Sequence, residues 1–153
     1  MRWQTLIALT VSLTVGLLSA ATEPQDDAAK KELNGFQGTW VLVSAERDGK
    51  KVSEDGKKIK LTITGTKHSL TEESTAVIGH RGTFLLDPAK KPKATDVVVT
   101  EGPDKGKTFL GIYELSGDDY KVCFAPSGKD RPKEFASTPA SGHVLQVWKR
   151  EKK

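Results

Sequence analysis

The chain has 153 residues, with 24 lysines and arginines against 20 aspartates and glutamates and a net charge of +4. That length suits one ordinary domain and excludes two. Basic and acidic residues interleave throughout, as in Lys50 and Lys51 beside Asp48 and Glu54, whereas a nucleic-acid stripe would segregate them, so no nucleic-acid partner is expected.

Residues 1–21 read as an export signal. Arg2 supplies a positive start, Leu6 to Leu18 is apolar with small polar interruptions, and Ser19-Ala20-Ala21 offers the small side chains a signal peptidase requires. Cleavage is expected after Ala21, with Ala20 as the alternative. The run is shorter than the ~20 apolar residues of a membrane anchor, so no integral span is expected after cleavage, and the protein is expected in the periplasm or outside the cell. Loss of Arg2 leaves a net charge of about +3.

Residues 22–32 read as a flexible leader containing Pro24, followed by a short helix. Asp27 to Leu33 favours that helix, Asp26 or Asp27 can cap it, and Asn34-Gly35 ends it after two turns at most. From Gly38 the pattern turns to alternation. Trp40 to Ala45 is an apolar strand ended by Asp48-Gly49, a dipeptide that tolerates the positive φ of a tight hairpin. Lys58 to Thr64 places Ile59, Leu61 and Ile63 on one face. Gly65-Thr66 then turns into Lys67 to Thr71.

Further strands are expected over Ala76 to His80, Gly82 to Asp87, Thr95 to Thr100, Thr108 to Leu115, Tyr120 to Ala125 and His143 to Arg150. Turn residues separate most of them, including Asp87-Pro88, Glu101-Gly102-Pro103 and Ser116-Gly117-Asp118. About eight or nine strands at such spacing indicate an all-β antiparallel sandwich or closed barrel, spanning 33–150. The irregular stretch from Pro126 to Gly142 is long enough to be functional or to lie over a surface.

Few residues carry chemistry. Cys123, the only cysteine, rules out an intramolecular disulfide and reads as a small buried residue within a strand. His68, His80 and His143 fall on different predicted strands without a His-x-His or His-x-x-x-His spacing, so they read as isolated surface or rim side chains. No metal or cofactor is expected. Glu72-Glu73 and Asp118-Asp119 are neighbours whose side chains diverge on extended backbone, a poor acid/base pair, and no hydrolase motif is present. The residues therefore point away from an enzyme.

A short helix followed by Gly38-Thr39-Trp40 at the first strand resembles the Gly-x-Trp signature of lipocalins and related calycin barrels. The resemblance implies a small up-and-down barrel of about eight strands whose base Gly38 and Trp40 close, with a basic residue of the last strand, Arg150 or Lys149, over the indole. The chain also resembles a family of exported lipocalin-like domains of unassigned function that is abundant in planctomycete bacteria. Gln37 to Trp40, Ser44 to Lys50, Phe84 to Pro88, Lys90 to Lys93, Gly111 to Leu115, Cys123 to Ala125 and Arg131-Pro132 carry that similarity. It implies a fold and an exported location but no activity.

An eight-stranded barrel is either filled by side chains or left open for one small ligand. Phe109, Tyr113 and Phe124, with Trp40, Phe84 and Trp148, are candidates to line such a cavity. Arg131 could clamp an anionic group at its mouth, or else be held by a carboxylate or the backbone. Two functions follow: an expected monomer binding a small apolar or amphipathic ligand, or an envelope module with a filled core that recognises protein or polysaccharide through its loops.

Overall fold

A computed structural model describes residues 24–52, 58–73 and 77–152. The expected export signal, the first residues of the leader and Ala76 lie outside the described residues.

The helix α1 (Pro24–Phe36) is longer than its sequence predicts. Pro24 occupies the first helical position, where its fixed φ suits the first turn, so part of the expected leader is helical. At the other end, Gly35 does not stop the helix, because Phe36 is drawn completely into the protein interior. Tertiary burial of one aromatic ring outweighs the ~1 kcal/mol helix penalty of the glycine.

Among the described residues nine strands follow: β1 (Gly38–Arg47), β2 (Lys50–Lys51), β3 (Ile59–Thr64), β4 (Lys67–Glu72), β5 (Val77–Asp87), β6 (Ala94–Glu101), β7 (Thr108–Ser116), β8 (Asp119–Phe124) and β9 (Val144–Arg150). From β3 onward each pairs antiparallel with the next, β1 pairs with β3, and β1 also pairs with β9. The sheet thus closes into an eight-stranded, lipocalin-like barrel, with the two-residue β2 folded against the end of β1. Asp48 and Gly49 both take positive φ, 51° and 75°, as their hairpin requires. The described part of the expected strand Ala76 to His80, from Val77 on, and the expected strand Gly82 to Asp87 form the single strand β5. Gly82 is no turn; it lies where the register between β5 and β6 shifts.

One end of the barrel is filled. Phe36 enters it from the helix, with its ring against Phe84, Tyr113 and Tyr120 at centroid distances of 5.1, 5.3 and 4.9 Å, all edge-on. Beside it lies the fully buried Trp40, whose Nε1–H donates to the Phe36 carbonyl at 2.9 Å. The Arg150 guanidinium stacks 4.1 Å above the Trp40 ring and donates to the carbonyls of Gly35 and Gln37 and to Asp118 Oδ1. Gly38 turns the chain between helix and barrel at φ 114°, a conformation that disfavours a side chain. The Glu32 carboxylate accepts from Lys93 Nζ at 2.6 Å and from the Tyr113 hydroxyl at 3.2 Å, fastening α1 across the base.

The connection 126–143 lies along the outside of the barrel. Phe124 faces inward, so Cys123 faces out, yet it is completely buried and its Sγ–H donates to the Ala136 carbonyl at 3.5 Å. Arg131 donates to the carbonyls of Thr95 and Gly111 and to Asp96. Farther along, the Gly142 N–H donates to Asp48 at 2.7 Å, tying the connection to the β1–β2 hairpin. Among the described residues no helix is long and apolar enough to cross a membrane.

Candidate functional site

The end of the barrel away from α1 contains a cavity of about 220 Å³. Phe84, Tyr120 and Trp148 are the aromatic residues of the packed core that also line the cavity, and they form its floor. Leu61, Leu70, Val97, Phe109, Phe124 and Val144 supply apolar walls, and Arg47, His68, His80, Asp104 and Gln146 supply polar atoms. An apolar chamber of ~150 Å³ takes up benzene and drug-sized pockets run to ~300–1,000 Å³; this chamber therefore suits one ring with a short chain.

Two glycines make room for the wall. A Cβ on Gly111 would lie 2.6 Å from the Phe124 ring, and one on Gly82 would lie 1.9 Å from the Val98 carbonyl and 2.7 Å from His68 Cε1. Each inward glycine is the space into which a neighbouring inward ring leans.

The histidines depart from the sequence reading. His68 and His80 are not isolated: Nε2 of His68 and Nδ1 of His80 are 3.1 Å apart, one N–H donating to the other nitrogen. His68 pairs with Gly82 and Leu70 with His80 across β4 and β5, so the two imidazoles are diagonal neighbours on the inward face. Burial, reinforced by the neighbouring His80, lowers the His68 pKa to about 4. Burial also lowers that of His80, partly opposed by Asp104. The other ring nitrogen of His68, Nδ1, is buried and has no hydrogen-bond partner. Asp104, in the β6–β7 turn, bonds Lys107 at 2.7 Å, which depresses its pKa. Among the described residues no three His, Cys, Asp or Glu side chains gather as a metal site.

The candidate ligand-binding residues separate into two groups. Phe109 and Phe124 line the chamber. Tyr113 lies in the filled base, with its ring on Phe36 and its hydroxyl on Glu32; burial, then the Glu32 charge, raises its pKa. Arg131 stands outside the barrel wall, held by two carbonyls and Asp96, and does not reach the mouth. Their place on predicted strands made the two phenylalanines candidates, but it gave no means of separating the base from the chamber along one inward row. The histidine pair and Arg47 escaped sequence reasoning because their positions depend on register.

The sequence matches no protein-family model and no curated protein.

Proposed function

We propose that this protein is an extracytoplasmic binding protein that holds one small apolar or amphipathic molecule in the chamber. The observation that carries this reading is the cavity of about 220 Å³ above a fully packed aromatic floor. A barrel that needed only stability would be filled along its whole length, since unfilled apolar space costs ~24 cal/mol per Å³. The amino-terminal export pattern supports a location outside the cytoplasm. The alternative of a loop-based interaction module is less favoured, because Arg131 of the long connection is already held by Thr95, Gly111 and Asp96.

The test uses a neutral probe. Calorimetric titration of the purified protein with 4-phenylbutanol is expected to show saturable uptake of one molecule. Val97→Phe, which places a ring in the chamber, is expected to abolish it. Absence of uptake by the unaltered protein, or undiminished uptake by Val97→Phe, removes the proposal.

A further inference from the structure

The lining carries positive charge at one place with nothing set against it. Between β1 and β9 the register slips at Leu42/Ser44, leaving Val43 as the extra residue, 59 % exposed. Trp40 and Leu42 face inward before the slip. After it Ala45 faces inward opposite Gln146, and Arg47 opposite Val144. Without the bulge, alternation would bring Glu46 to the inner face; with it, an arginine lines the mouth and Glu46 points outward, 3.5 Å from the Ser137 hydroxyl.

The neighbouring polar groups sharpen the selectivity. Gln146 lies diagonally from Arg47 on the adjacent strand, and its Oε1 accepts the Trp148 indole N–H at 3.2 Å. An indole nitrogen only donates, so this bond sets the amide orientation and leaves the Gln146 NH₂ as the free end. Arg47 and that NH₂ together offer only donors. The other charges of the lining are balanced: Asp104 bonds Lys107, and the imidazoles of His68 and His80 bond each other. Among the described residues the Arg47 side chain has no ion pair or hydrogen bond.

We infer that the chamber's ligand is a monocarboxylate with an apolar body, its head group held at the mouth by the Arg47 guanidinium and the Gln146 amide. This rests on the ligand-binding reading above. A planar guanidinium matches a carboxylate through two parallel N–H···O bonds. One unbalanced cation suits a monoanion, whereas a phosphate dianion would keep excess negative charge beside Asp104.

The experiment compares 4-phenylbutyrate with 4-phenylbutanol, which share a body and differ in the head. At neutral pH the acid is expected to bind about tenfold more tightly than the alcohol. Arg47→Gln is expected to lower the acid's affinity to about that of the alcohol with the circular dichroism unchanged; Arg47→Lys is expected to keep part of the preference. Equal affinities in the unaltered protein, or a preference that survives Arg47→Gln, overturn the head-group inference while normal alcohol binding leaves the chamber reading standing. Uptake of neither probe overturns both.

Discussion

Lowering the pH should loosen this barrel through His68 before the carboxylates matter. In the unfolded chain His68 takes a proton near pH 6.5, but in the folded barrel only near pH 4. Above pH 6.5 both states are neutral and the group is silent. As pH falls from 6.5 the unfolded state binds the proton first, so stability drops, and it levels off for this group once the folded state also protonates. The gap corresponds to about 3 kcal/mol at ~1.4 kcal/mol per pKa unit. The folded-state pKa of His80 is lowered too, which adds in the same direction. Geometry explains the sign: a bond between two ring nitrogens 3.1 Å apart needs one of them unprotonated, and the imidazolium form would be buried beside its neighbour. Carboxylates with depressed pKa, Asp104 and Glu73, lose their contribution only as pH falls below their unfolded values of about 4, so the two windows separate. The assay is urea unfolding followed by tryptophan fluorescence at pH 7.0, 5.5 and 4.5, at constant ionic strength. His68→Gln, which keeps a hydrogen-bonding side chain but cannot titrate, should flatten most of the slope; His143→Gln should not. Equal slopes for the unaltered protein and His68→Gln would refute the reasoning.

Other outcomes follow from the packing. Arg150→Met should destabilise the fold by about 2–4 kcal/mol in urea unfolding, because it removes the cation over Trp40 and strands the carbonyls of Gly35 and Gln37. Arg131→Ala should cost about 2–3 kcal/mol by the same assay, through the carbonyls of Thr95 and Gly111, and leave 4-phenylbutanol affinity within twofold. Gly111→Ala should cost about 1–3 kcal/mol and weaken uptake, because the new methyl pushes the Phe124 ring into the chamber. Val97→Phe, by contrast, should unfold at no lower urea concentration than the unaltered protein, since its ring enters space already empty.

Much of the architecture was legible in the residues. The period of two through Ile59, Leu61 and Ile63 set a strand and its inner face, and Asp48-Gly49 set a hairpin whose positive φ values the structure contains. Gly38-Thr39-Trp40 marked the closed end by resemblance, and Phe109 and Phe124, candidates as aromatics on predicted strands, line the chamber wall. These features are local, decided by backbone sterics and by which side of a pleat is apolar.

Tertiary structure decided the rest, because each remaining feature turns on how one strand is offset against another. His68 and His80 are twelve residues apart and meet only because β4 and β5 pair in a register that sets His68 opposite a glycine. Arg47 faces inward only because one extra residue at Val43 reverses the alternation after it, and nothing in the local pattern marks that slip. Arg131 is claimed by carbonyls on β6 and β7, 36 and 20 residues away. Composition and periodicity determine that these side chains form a closed sheet; register, which moves every later side chain to the opposite face when it shifts by one residue, determines what the sheet encloses.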